Sequence, residues 1–151
     1  MANDKTKIIR ESVDVFIAPK GTDTATAASW TILGWCEAET IKLTSSGRNE
    51  IELHDNSKFK ISNEFLFEAL GLETDQAKIT ALEGFEDQDV DILLIKRADR
   101  TAGYKLDGLT LIVEPDFVFS NKTPKKVKIS ATRTAQSLSD FLSEVTGLSG
   151  Y

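Results

Sequence analysis

Residues 58–97, KFKISNEFLFEALGLETDQAKITALEGFEDQDVDILLIKR, read as strand, short helix, strand. Lys58-Phe59-Lys60-Ile61 alternates polar and apolar, and residues 64–70 continue as a largely apolar run that Gly71 interrupts. Thr74 or Asp75 caps a helix over residues 76–83, and Gly84 supplies the stop. Residues 90–95 form an apolar strand broken only by Asp91, bounded by Asp87 and Asp89 before it and by Lys96 and Arg97 after it. One helix set among strands sorts the chain into the mainly-β class.

Upstream, residues 1–12 are polar and read as a mobile arm with Ile8 and Ile9 as docking points. Residues 13–18 form the first strand, which Pro19 ends by removing an amide donor. Residues 20–29, rich in Gly, Thr and Ala, have little to bury and read as a loop. Order resumes at Trp30, with Trp30, Ile32 and Cys36 on one side and Gly34 at a bulge or turn. Residues 37–43 alternate, residues 44–49 (Thr-Ser-Ser-Gly-Arg-Asn) read as a turn, and Ile51 and Leu53 mark a half-exposed strand before a second turn at Asp55-Asn56-Ser57.

Downstream, residues 98–108 read as a long polar excursion. Residues 109–113 and 117–120 are strand-like, with Pro115 between them making a bend or an edge. Residues 125–134 alternate with Val127, Ile129 and Ala131 inward. Leu138, Phe141, Leu142 and Val145 recur at helical spacing and predict a short C-terminal helix within residues 136–145. The layout is a flexible arm (1–12), a body of about eight short strands (13–135), and a C-terminal helix and tail (136–151). Its class is mainly β: an antiparallel β-sandwich or split barrel flanked by one short α-helix.

Composition narrows the function. A chain of 151 residues with 40% apolar and 28% charged side chains is a soluble globular domain. With 18 basic against 24 acidic residues it carries −6, which argues against dedicated nucleic-acid binding, since phosphate affinity comes from cations. Cys36 is alone, so no intrachain disulfide forms. No signal-peptide pattern opens the chain and no apolar run approaches the ~20 residues of a membrane span.

No residue of the sequence is assigned a catalytic, cofactor-binding or metal-ligating role. His54, the one histidine, has Glu52 on its strand face but too few neighbours of ligand type, and reads as a solvated strand end. No nucleophile elbow or phosphate loop is present. Cys36 reads as a small core residue. The acidic groups at Glu37/Glu39, Glu50/Glu52 and residues 86–91 read as wet surface. Lys122, Lys125, Lys126 and Lys128 form the one basic cluster, without interleaved aromatics for base stacking, and read as protection of a sheet edge. Trp30, Trp35, Phe65, Phe67, Phe117 and Phe119 read as core. Segments 19–29, 44–57 and 97–108 stand out as arms that a solitary sandwich does not need, and contact with further copies of the chain is the use that fits them.

The order of parts carries a resemblance. Val13-Asp14-Val15-Phe16-Ile17-Ala18 is followed by a loop and by Trp35-Cys36-Glu37-Ala38-Glu39-Thr40-Ile41-Lys42-Leu43. A polar excursion through Arg48-Asn49-Glu50 comes next, then the extended run of residues 59–68, the helix near residues 77–82, and the strands at 90–95 and 127–132. In this layout, over about residues 10–135, the chain resembles the tail tube (major tail) proteins of long-tailed bacteriophages, related in fold to the tube of type VI secretion systems. The resemblance implies a non-enzymatic structural virion protein without cofactors. Six copies would form a ring, and rings would stack into a hollow tube through which DNA passes without specific binding. Its partners would be itself and other tail proteins such as the tape measure and tail terminator, with no membrane. Its place would be the virion tail, assembled in the bacterial host cytoplasm. Ring closure would pair exposed sheet edges, and the long loops would reach the adjacent ring. The face of Lys126, Ser130 and Thr132, or that of Glu50 and Glu52, would line the bore or the stacking surface. The alternatives are a tail-completion or neck ring protein, and a monomeric β-barrel module with a small-ligand pocket lined by Trp30, Trp35, Phe65 and Phe67.

Overall fold

The computed structural model describes residues 11–37, 39–72 and 76–151. The arm expected at residues 1–12, apart from its last two residues, lies outside these, as do the docking points Ile8 and Ile9 and the helix caps Thr74 and Asp75. Among the described residues eight strands and one α-helix follow one another: β1 (Val13–Pro19), β2 (Thr31–Ile32), β3 (Lys42–Glu52), β4 (Lys58–Gly71), α1 (Gln76–Glu83), β5 (Asp89–Lys96), β6 (Gly103–Asp116), β7 (Lys126–Ala135) and β8 (Leu142–Val145). All pairings are antiparallel, in the order β2-β1-β5-β6-β7-β4-β3, with β8 also on β6. The fold is mainly β with one short helix, as the alternating runs predict.

Strand β6 makes one sheet serve as two walls. Its first part, residues 103–106, lies between β5 and β8, and its last, residues 110–116, pairs with β7. Between them Gly108 takes a φ of +65° beside a register irregularity opposite Val90 and Ile92, and a bulge of this kind bends the strand. The far corner is drawn together by residues 33–37. Leu33 N–H donates to the Val15 carbonyl (2.9 Å), Glu37 N–H to Leu70 (2.9 Å), and Leu72 N–H to Trp35 (2.7 Å).

The enclosed face is apolar because the strands alternate. Val127, Ile129 and Ala131 of β7, Phe65, Phe67 and Ala69 of β4, and Leu109, Leu111 and Val113 of β6 all point inward, and α1 adds Ile79 and Leu82. Each of these side chains larger than alanine contributes about 1.5–3 kcal/mol on burial. Strands β1 and β5 differ, being apolar on both faces. Phe16, Ala18, Leu93 and Ile95 face outward into a second cluster with Trp30 and Leu148. Covering both faces turns these strands into continuous apolar runs instead of alternating ones. The cover comes from residues 20–30 and 146–151. Tyr151 meets Phe16 edge-on at 5.2 Å and donates its hydroxyl to the Thr24 carbonyl (2.6 Å).

Several local expectations are corrected. The C-terminal helix over residues 136–145 does not form: Leu138–Asp140 make one 3-10 turn and residues 142–145 are β8. Strand β7 leaves β6 at Thr110, and β8 supplies the partner that residues 103–106 would otherwise lack. Phe141, the apolar residue that suggested a helix face, is buried against Phe65 at 5.1 Å between ring centres. Residues 136–151 are therefore built into the body. The turn expected at residues 44–49 is strand: β3 pairs with β4 through these positions, and two register shifts take up the misfit, one skipping Ser46 of β3 and the other Ile61 of β4. The polar excursion over residues 98–108 shrinks to a loop at 97–102, because residues 103–108 belong to β6. Gly103 fits there since a Cβ would lie 2.0 Å from the Leu94 carbonyl oxygen. Residues 117–120, expected as strand, are not one; β6 instead runs through Pro115. Leu111 and Val113 direct their N–H groups away from β7, to Gln88 and Glu86, so Pro115 falls where a missing N–H breaks no ladder.

Candidate functional site

Past the body, β3 and β4 continue as a two-stranded hairpin. β4 is paired with β7 only from Asn63 to Gly71. Beyond that, Asn49↔Ser62, Glu50↔Lys60, Ile51↔Phe59 and Glu52↔Lys58 pair with each other alone. The turn is built by its own side chains. Asp55 accepts hydrogen bonds from the Ser57 N–H (3.0 Å) and hydroxyl (2.6 Å), which lower its carboxyl pKa, and Asn56 supplies a φ of 67°. Lys60 Nζ donates to the Gln136 carbonyl (2.7 Å), and the Gln136 side chain donates to Ile61, tying the hairpin base to the body.

The register decides which way the hairpin's side chains point. Between Asn49 and Glu50 the pairing skips Ile61, so Ser62 and Lys60 oppose consecutive residues of β3. A one-residue slip exchanges the faces. Phe59 therefore shares a face with Ser62 and Glu64, opposite to the buried Phe65 and Phe67. Its direct partner Ile51 stands on the same face, and Leu53 follows two residues on. These three are 58%, 47% and 41% exposed, and Ile61 is also exposed. The other face pairs Glu50 with Lys60 and Glu52 with Lys58, and Arg48 Nε is 2.6 Å from the Glu50 carboxylate. The hairpin thus has one apolar face left exposed among the described residues and one face of balanced charge.

Other sequence candidates scatter. His54 sits exposed in the hairpin turn. Among the described residues no group of three or more His, Cys, Asp or Glu is placed to hold a metal. Cys36 packs partly against the main core. Burial, with the Asp14 charge adding and Arg97 opposing, pushes its thiol up to about 11. The lysine cluster is split: Lys126 pairs with Glu37 at 2.9 Å, and Lys125 lies over the Phe119 and Phe117 rings at 4.9 and 5.5 Å. Aromatics do therefore stand beside this cluster. The four aromatics of the expected ligand pocket do not meet. Phe65 and Phe67 are in the main core and Trp30 in the second cluster, whereas Trp35 is 72% exposed with the Arg97 guanidinium 4.9 Å over its ring. Phe119, also expected in the core, is 84% exposed.

Of the three expected arms, only 44–57 projects. Residues 19–29 fold back over the second cluster, where the Trp30 indole N–H donates to the Asp23 carbonyl (3.1 Å) and Asp91 accepts the Gly21 N–H (2.9 Å). The 97–102 loop is tied down by Arg97 N–H to the Ser12 carbonyl (3.0 Å) and by two arginines on Asp14: Arg97 at 2.9 Å and Arg100 at 2.6 Å. Asp91 itself was legible only as a break in an apolar run. It is a buried carboxylate accepting the N–H groups of Gly21 and Gly108, both at 2.9 Å.

No helix among the described residues is long and apolar enough to cross a membrane. Compared with known proteins, the sequence matches no family model and no curated protein.

Proposed function

We propose that this chain is a structural subunit that assembles with copies of itself into rings stacked as a hollow conduit for DNA, as do the phage tail tube proteins it resembles. The observation that supports this reading is the hairpin's bare apolar face at Ile51, Leu53 and Phe59. A two-stranded hairpin is at best marginally stable alone in water, and one that holds exposed apolar side chains gains from a surface that covers them. The outer edge of β3 is guarded: it carries Lys42 and Arg48 and is interrupted by a bulge at residue 46, features that discourage indiscriminate strand addition. Contact through the face, with the edge protected, suits an ordered assembly better than aggregation. The net charge of −6 also suits a conduit that must let phosphate slide past.

Electron microscopy of the concentrated protein, with light scattering on the same sample, tests this reading. Rings or tubes of uniform width, with masses in multiples of the 16.6 kDa chain, are expected. A monomer at every concentration, including after seeding with tail initiator complexes, counts against it.

A further inference from the structure

The described residues expose large apolar side chains at both ends of one strand pair. β4 and β7 are paired from Asn63↔Ala135 to Gly71↔Val127, roughly 25 Å of sheet at about 3.3 Å per residue. The hairpin lies past the first of these pairs. Residues 117–125, which join β6 to β7, lie past the second, since β6 and β7 meet their limit at Asp116↔Lys126. There Phe119 is 84% and Val118 45% exposed.

The two ends also differ in charge. The hairpin turn, residues 53–57, has Asp55 as its one carboxylate and no lysine or arginine, Glu52 standing opposite Lys58, and residues 117–125 contain Lys122 and Lys125 and no carboxylate. Two hairpins meeting tip to tip would set Asp55 against Asp55, and two 117–125 loops would set lysines against lysines. A hairpin meeting the loop of another copy brings opposite charges together and covers apolar surface on both sides.

We propose that the hairpin of one copy docks on the 117–125 loop of the next. Its face around Phe59 packs against Val118 and Phe119, and Asp55 of the turn comes beside Lys122 and Lys125. The contact joins unlike ends that lie at opposite ends of the β4–β7 pair, so copies add in one direction along it. This rests on the self-assembly proposed above and names the surface that receives the hairpin.

The test uses two variants of the full chain. Phe59→Asp spoils the hairpin and leaves the loop intact; Phe119→Asp does the reverse. Both positions are exposed, and circular dichroism checks that both variants fold. Each alone is expected to lose growth along the stacking direction. Their equimolar mixture, with one sound junction available between unlike partners, is expected to give particles of twice the mass of either alone and nothing larger. If Phe119→Asp assembles as the wild type does, the proposed acceptor is wrong and self-assembly still stands. If both variants are blocked but the mixture shows no doubling, the pairing of unlike ends is wrong. A wild-type chain that stays monomeric throughout removes both proposals.

Discussion

Ile51 and Phe59 stand directly opposite each other across the β3–β4 hairpin, and each leaves about half of its surface in water. A cross-strand pair of this kind contributes only about 0.2–1 kcal/mol to the hairpin. Replacing both with serine is therefore expected to shift the denaturation midpoint of the isolated subunit slightly while removing assembly. Urea titration and light scattering on the same variant separate the two effects. A large fall in stability would show that the pair serves the fold.

Asp91 is a structural anchor. Its two oxygens accept the N–H groups of Gly21 and Gly108, glycines with φ of +86° and +65°, and Lys105 Nζ lies 3.7 Å away. Asp91→Ala removes the acceptor of both N–H groups and is expected to cost about 1–3 kcal/mol. Asp91→Asn, which keeps one acceptor oxygen, is expected to lose less. Equilibrium unfolding in urea measures both, and equal stability of Asp91→Ala and wild type would contradict the assignment.

The Asp14 carboxyl predicts a pH dependence. Burial alone would raise its pKa, but hydrogen bonds and charge from Arg100 and Arg97 outweigh burial and hold it below the ordinary 3.8. A carboxyl whose folded-state pKa is depressed stabilises the fold above its unfolded pKa and loses that contribution as pH falls through the folded value. Asp14→Asn is thus expected to be less stable than wild type at neutral pH, and the gap should narrow as pH falls below about 4. Thermal midpoints across the acid range give the comparison; a gap that widens in acid would reverse the sign.

Cys36 should resist thiol reagents. With its thiol pushed up to about 11, only about one molecule in a thousand is thiolate at pH 8. Iodoacetamide is expected to modify the native protein far more slowly than the urea-unfolded chain, and the native rate should keep rising with pH well past the point where a free cysteine levels off. Rapid native labelling at pH 8 would show an exposed thiolate.

Much of the body was legible in residue order because it depends on short-range patterning. The alternation of Val127, Ile129 and Ala131 predicted which side of β7 is buried, and the predicted helix at residues 76–83 coincides with α1. Leu138, Phe141, Leu142 and Val145 misled because four apolar residues over eight positions suit either a helix face or a turn followed by a strand. The first part of β6, paired with β5 on one side and open on the other, resolved that choice in favour of β8. Trp35 and Phe119 misled because aromatic character indicates burial on average and says nothing about which loop ends carry it outside.

By itself, the order of residues determined the mainly-β class, the position of its helix and the inward faces of strands such as β7, since periodicity and turn chemistry act over a few neighbouring positions. Tertiary structure alone decided that residues 19–29 fold back, that β8 completes β6, and that the skipped pairing at Ile61 turns Phe59 away from the core. Each of these depends on which distant strand lies alongside, and a one-residue change in that register reverses a side chain's direction without altering a letter of the local sequence.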